Sequence, residues 1–215
     1  MALTEPFDLL PDFPGWVTKF DLLYRQEQSR TAGGRTIVKD MGSPLWQMAA
    51  QTKVLRPNEL DYWRARLAAL ENGLKTFWGY PLSRTYPVAH PRGSWPTGGS
   101  FDGVSASLSA INSNRKAVRV DDLPVGFKFS VGDFLSIAGD LHQAMEPATA
   151  ASGGLTPEFE IRPHLWPDVA IGSPAPVVSV YRPACLMAIV PGSVSADAGL
   201  NGWGSVAFQA IEARL

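Results

Sequence analysis

Glycine and proline interrupt this chain throughout: 20 Gly and 18 Pro are spread over 215 residues. Proline fixes φ and removes a backbone donor, while glycine takes the turn conformations other residues avoid. Regular elements must therefore be short and joined by many turns. Seven Trp add large aromatic anchors. Short elements with aromatic anchors suit a β-rich fold more than a helical bundle. The expected class is mainly β with one amphipathic helix (α+β), a β-sandwich or barrel.

The exception to the short-element rule is "RPNELDYWRARLAALENGL". Pro57 suits the first helical position, where its missing N–H is not needed. Glu59 and Asp61 fall in the first turns, where the helix dipole favours acids. Leu60, Trp63, Leu67, Leu70 and Leu74 recur at steps of three and four, which gives one apolar stripe. The spacing predicts a helix over residues 57–72, closed by Gly73. Arg64 and Arg66 lie off the stripe and read as surface.

The rest reads as strands and turns. Residues 1–15 hold Pro6, Pro11, Pro14 and Gly15 and form an irregular lead-in. "TAGGRT" is a turn between two strands, with Gly33 and Gly34 free to take positive φ. "LWQMAAQTKVL" alternates with period two and places Trp46, Met48 and Ala50 on one face. "KTFWGYP" is a short strand. From about 104 the expected strands are "VSASLSAI", "RKAVRV", "FKFSVGDFLSI", "DLHQAME", "TPEFEIRPHLW", "VVSVYRPACLMAIVP" and "WGSVAFQAIEARL". "VGDFLSIAGDLHQAME" reads as a hairpin with Ala138-Gly139-Asp140 at its tip. Phe127, Phe129 and Val131 would alternate along one strand face.

These parts suggest a single compound domain over 1–215. Strands and the helix fill 1–80, a Pro/Gly-rich arm or loop spans 81–103, and a β-rich part spans 104–215. The arm carries Pro81, Pro87, Pro91 and Pro96, which stiffen it, and the aromatic residues Tyr86 and Trp95. A stiff segment with aromatic anchors suits docking, so Trp95 and Tyr86 are the candidate subunit-contact residues.

Composition narrows the function classes. The 19 basic and 20 acidic residues give no excess for a nucleic-acid-binding face. The start, "MALTEPFDLLPDF", lacks the basic region of a secretory signal, and no apolar run reaches 18 residues. A soluble product made in the cytoplasm, without membrane association, is expected. The single cysteine, Cys185, sits among apolar neighbours and reads as a buried thiol.

The chemistry-bearing residues form no catalytic set. His90, His142 and His164 lack the paired spacing of metal ligands. Ser193, His164 and Asp168 make a nucleophile triad only on paper, because "PGSVS" lacks the nucleophile elbow. "TAGGRT" and "PTGGSFDG" lack the ending of a phosphate loop. Asp121 and Asp122 supply too few ligands for a cation. No enzyme activity, catalytic residue, metal or cofactor is expected.

Residues 118–212 run as "VGDFLSI", "AGDLHQAME", "ATAASGG", "TPEFEIRPHLWP", "YRPACLMAIVPG" and "WGSVAFQAIEAR". This succession resembles a recurring module of tailed-bacteriophage tail proteins. It looks most like the distal tail proteins of siphophages and of phage-derived gene transfer agents. The N-terminal strands and helix are similar to the ring-forming half of that family. The resemblance implies a virion structural protein at the tail tip or baseplate. It would form a ring, a hexamer in this family, joining the tail-tube protein to the baseplate hub protein. DNA would pass through it without sequence-specific contact. The alternatives are a tail-tube or other baseplate subunit, or a carbohydrate-binding module using Trp78, Trp95 and Trp166.

Overall fold

The first half of the chain builds one side of a sheet and waits for the last thirty residues to complete it. The computed structural model describes residues 4–96 and 100–214. Strand β1 (Gly15–Leu23) leads through Tyr24 and Arg25 into β2 (Gln26–Arg30). A five-residue turn with Gly34 at φ +78° joins β2 to its antiparallel partner β3 (Thr36–Asp40). Strand β4 (Leu45–Thr52) then returns along β1. As the alternation in the sequence requires, Trp46, Met48 and Ala50 are buried on one face.

Helix α1 (Pro57–Ala68) starts as expected, with Pro57 in the first turn and the Glu59 carboxylate accepting the Arg56 N–H at 3.2 Å. Leu60, Trp63 and Leu67 are buried, each worth roughly 1.5–3 kcal/mol in transfer terms. The helix ends at Ala68, four residues before the expected end. Glu71, Asn72 and Gly73 all take positive φ, so the chain turns toward β5 (Thr76–Gly79). A Cβ at Gly73 would sit 2.4 Å from the Ile189 carbonyl oxygen, so this glycine serves a close approach and does not cap the helix. Leu74, expected on the stripe, is 81% exposed for the same reason.

The middle of the chain closes on itself. Its strands are β6 (Ala106–Ile111), β7 (Ala117–Asp121), β8 (Lys128–Phe129), β9 (Phe134–Ile137), β10 (Asp140–Ala144), β11 (Ala148–Thr149), β12 (Phe159–Arg162) and β13 (Val177–Ser179). Six of them form a closed barrel in the order β10-β12-β7-β6-β13-β9. Leu108, Val118, Val120, Leu135, Ile137, Phe159, Ile161 and Val178 fill it. Strands β8 and β11 pair with each other, and Phe129 of β8 stacks on Phe159 at 5.0 Å. The β9–β10 hairpin turns through Ala138 and Gly139, at φ +53° and +93°, as its sequence suggests.

Two long expected strands are broken. "FKFSVGDFLSI" bends at Gly132, where φ is +91°, and the Asp133 carboxylate accepts the N–H of Ser130 at 2.7 Å. Val131 is thereby turned out and is 62% exposed, unlike Phe127 and Phe129. "VVSVYRPACLMAIVP" divides between two sheets: β13 belongs to the barrel, and β14 (Cys185–Ile189) leaves it. After β15 (Ser195–Ala198), β16 (Gly204–Glu212) inserts between β4 and β14. The first sheet thus has the order β1-β4-β16-β14-β5, with β15 alongside β16. The β-rich residues after 104 thus divide between the barrel and the first sheet, which their last three strands complete.

The inner face of this sheet packs on α1 and on the lead-in segment. That segment is irregular, as expected, yet it buries Phe7, Leu9, Leu10 and Phe13. Phe13 meets Trp63 and Phe208 edge-on, at 5.3 and 5.8 Å. The barrel joins this core through its β9–β10 hairpin. Phe134 packs 5.5 Å from the Trp46 ring, and the Trp46 indole N–H donates to the Leu141 carbonyl at 2.7 Å.

Candidate functional site

Three regions carry the chain's unusual chemistry: the joint between sheet and barrel, the segment 81–96, and the outer side of the first sheet with its hairpin.

At the joint, β16 alternates Val206, Phe208, Ala210 and Glu212 onto the buried face. Its final step places a carboxylate in the core. One Glu212 oxygen accepts the Trp46 backbone N–H at 2.9 Å. Burial pushes its pKa up to about 7; the Trp46 hydrogen bond and Arg214 oppose this, and the Asp140 charge adds to it. Asp140 is raised as well, by burial first. Arg214 reaches Asp140 at 3.2 Å and Asp168 at 2.9 Å while stacking over Trp166 at 4.4 Å. His142 is fully enclosed, and its Nδ1–H donates to the Pro163 carbonyl at 2.8 Å. Desolvation lowers its pKa to about 4, so the ring is neutral. The Arg214–Asp140 pair pins the end of β16 to the barrel. The joint's only arginine is already held by two carboxylates.

The segment 81–96 lies folded back on its own barrel. Trp95 is half-buried against Phe101, Phe127 and His90, at ring separations of 5.2, 5.8 and 5.8 Å. His90 stacks on Phe127 at 4.5 Å, and its Nε2 accepts the Lys128 N–H at 2.9 Å. That fixes the tautomer, so Nδ1–H donates to the Ser94 carbonyl at 3.1 Å. The Asp133 carboxylate also accepts the Val88 N–H at 2.9 Å. Of the two readings of this segment, arm or loop, Trp95 follows the loop: aromatic contacts on the chain's own barrel half-bury it. Tyr86 packs on Tyr181 at 4.8 Å in the same way. The expected glycine turn in "PTGGSFDG" falls largely on residues 97–99, outside the described residues.

The other singled-out residues separate. Ser193 exchanges hydrogen bonds with Gln209, His164 pairs with Ser43 at 2.9 Å, and Asp168 holds Arg214. Each member of the paper triad thus has a different partner. Asp122 accepts the Ser107 hydroxyl, and Asp121 accepts the Asp122 N–H. Among the described residues no group of three or more His, Cys, Asp or Glu is placed to hold a metal ion. Burial raises the Cys185 thiol well above its ordinary range. Of the three tryptophans considered as stacking platforms, Trp95 faces the barrel core and Trp166 lies under Arg214. Trp78 is half-buried in the sheet, beside Leu186.

Strand register places the outer side of the first sheet. Leu45, Gln47, Ala49 and Gln51 of β4 share this side with Ser205, Ala207, Gln209 and Ile211 of β16 and with Leu186 and Ala188 of β14. No charged side chain stands on it across these three strands. Charges appear at its margins, as Lys19 and Asp21 on β1, Asp197 on β15, and Asp140 and Arg214 beside Leu186 and Trp78. Beyond this sheet the β2–β3 ribbon is exposed at all ten of its residues, Ile37 and Val38 at 54% each. Strand β1 pairs with β4 alone among the described residues.

The sequence reading missed the Glu212–Arg214 joint. Its one signal was the period-two phase of β16, which puts Glu212 in line with Phe208 and Ala210. Compared with known proteins, the chain matches no family model and no curated protein.

Proposed function

We propose that this chain is a structural subunit of a tailed-phage virion, forming a ring at the distal end of the tail tube. The ring joins the tube to the baseplate hub and surrounds the DNA conduit. The observation that carries this reading is the outer side of the first sheet: broad, built of Ala, Gln, Ser and a few aliphatic residues, and free of charge over β4, β14 and β16. An exposed antiparallel face on a monomer ordinarily carries charged side chains. Over β4, β14 and β16 this side offers phosphates no cation, so these strands would not hold a passing duplex.

Two further features support assembly into a ring. A two-stranded ribbon with both faces wet is marginally stable alone, and among the described residues β1 leaves an unpaired edge. A cyclic neighbour covers both. Six copies follow from the resemblance of the sequence.

The test is light scattering and negative-stain microscopy of the purified chain, alone and with a tail-tube protein. Rings with a central hole are expected. Replacing residues 26–40 by a short Gly-Ser turn should yield monomers that still unfold in one cooperative transition. Stacked continuous tubes would instead mark a tail-tube subunit. A monomer at every concentration, indifferent to the tube protein, would refute the proposal.

A further inference from the structure

Where α1 begins, at one end of the first sheet, a projecting turn and an open groove lie side by side. The turn joins β15 to β16. Leu200 at its tip is 112% exposed. Trp203 beside it is one of only two exposed Trp among the seven; the other is Trp16 on β1. The groove holds about 350 Å³, is mostly apolar, and is lined by Pro14, Lys53, Leu55, Asn58, Tyr62 and Trp63 among others. Tyr62 is 55% exposed, and Val54, between Lys53 and Leu55, is 63% exposed.

Both parts are held by the same frame. Within the turn the Gly202 N–H donates to the Gly199 carbonyl at 2.9 Å, and the Gly199 N–H donates to the Trp203 carbonyl at 2.8 Å. The Asn201 side chain accepts the Trp203 N–H at 3.1 Å, and Arg56 lies over the Trp203 ring at 5.9 Å. Leu55 and Gly204 exchange backbone hydrogen bonds of 2.7 and 3.2 Å, which ties the hairpin to the groove floor. A Cβ on Gly202 would lie 3.0 Å from the Pro57 ring, so the turn rests on the first residue of α1. The groove opens among the residues on either side of that proline. Across it, the Lys53 N–H donates to the Pro14 carbonyl at 3.0 Å, and the Tyr62 hydroxyl accepts a hydrogen bond from Arg66 at 3.2 Å. Held by this frame, Leu200 stays clear of its own groove.

We propose that this end of the sheet is a two-fold interface between two copies of the chain, the Leu200 turn of each seated in the groove of the other. A projection and a hole on one patch are self-complementary about a two-fold axis, where every contact occurs twice. Any other partner would have to bring both shapes. Charge fits the same operation: exposed Asp197 stands on the hairpin half and Lys53 on the groove half, and a two-fold lays each half on the other. The nearby Glu59 and Asp61 are already engaged, by the Arg56 N–H and by Arg64. Covering Val54, Tyr62, Leu200 and Trp203 on both copies removes roughly 1,000 Å² from water, the size at which a specific interface begins. The stiff frame keeps the ordering cost low. The contact uses neither the β2–β3 ribbon nor the β1 edge, so it stands whether or not a ring forms.

Sedimentation velocity of the full chain over a range of concentrations tests this, together with cysteine cross-linking. Particle mass is expected to double as concentration rises, with or without residues 26–40. Leu200→Asp should weaken the doubling at least about tenfold, because it places a charge in an apolar groove. Its melting temperature should not change, since Leu200 is fully exposed within its own copy. The control Val125→Asp, at an exposed position near the barrel, should leave the doubling intact. Copies carrying Leu200→Cys, mixed with copies carrying Asn58→Cys, should form disulfide-linked pairs on oxidation, while the buried Cys185 takes no part. No doubling, doubling that survives Leu200→Asp, equal weakening by Val125→Asp, or links between two Leu200→Cys copies in place of the mixed pairs would each overturn the proposal.

Discussion

Replacing Glu212 by Gln keeps the shape of the side chain and an acceptor for the Trp46 N–H while removing a buried charge. Glu212 has a folded pKa of about 7 against an ordinary 4.5. A raised pKa means that the folded state holds the proton more tightly. The associated stability is complete below pH 4.5 and is lost as pH rises through 7. That shift is worth about 3 kcal/mol at 1.36 kcal/mol per pH unit. Asp140, also raised, adds in the same direction. His142 acts oppositely: its folded pKa of about 4 lies below the ordinary 6.5. Its stability is present above 6.5 and is lost as pH falls through 4. Between 4.5 and 6.5 the two slopes offset each other, so the wild type should show a shallow profile there and a decline toward pH 8. Glu212→Gln should remove the decline and expose the His142 slope, giving stability that rises to pH 6.5 and then levels. At pH 8 the variant should be more stable by up to about 3 kcal/mol, or about 2–4 °C in Tm per kcal/mol at this chain length. Urea denaturation at pH 4 to 8 reads both curves. A variant with the wild-type profile, or one less stable at pH 8, would refute the argument that burial governs this carboxylate.

Leu67→Ala should lower the unfolding free energy by about 2–5 kcal/mol, since Leu67 is buried where α1 crosses the sheet; an unchanged urea midpoint would contradict that packing. Trp95→Ala should destabilise the isolated chain by about 3 kcal/mol, the lower end for a buried Trp, because the ring is only half-buried. Hydrogen exchange at Phe127–Phe129 should rise with it, whereas a loss confined to assembly would mean that Trp95 serves a neighbour.

Local pattern determined much of this protein. The alternation of Trp46, Met48 and Ala50 decides which face of β4 is buried, because successive strand residues point to opposite sides. Ala138-Gly139 determines a hairpin, because both central residues must take positive φ. Pro57, Glu59 and the Leu60-Trp63-Leu67 stripe determine where α1 starts and which side it buries. Where α1 ends was decided by tertiary contact. The stripe continues to Leu74, but the chain must pass against the Ile189 carbonyl to reach β5, and only Gly73 permits that approach. The sheet order was equally out of reach of local pattern. Strand β16 pairs with β4 across more than 150 positions, and the period-two rule names a strand's faces without naming its neighbour. The same limit hid the joint: buried Glu212 and His142 come near the more accessible Asp140 and Arg214 only because β16 is inserted beside β4 and the barrel hairpin lands on Trp46. The segment 81–96 carried the stiffness and aromatic content that suit a docking arm. Those properties say that Trp95 needs an apolar partner, and tertiary structure alone supplied Phe127 and Phe101 from the same chain.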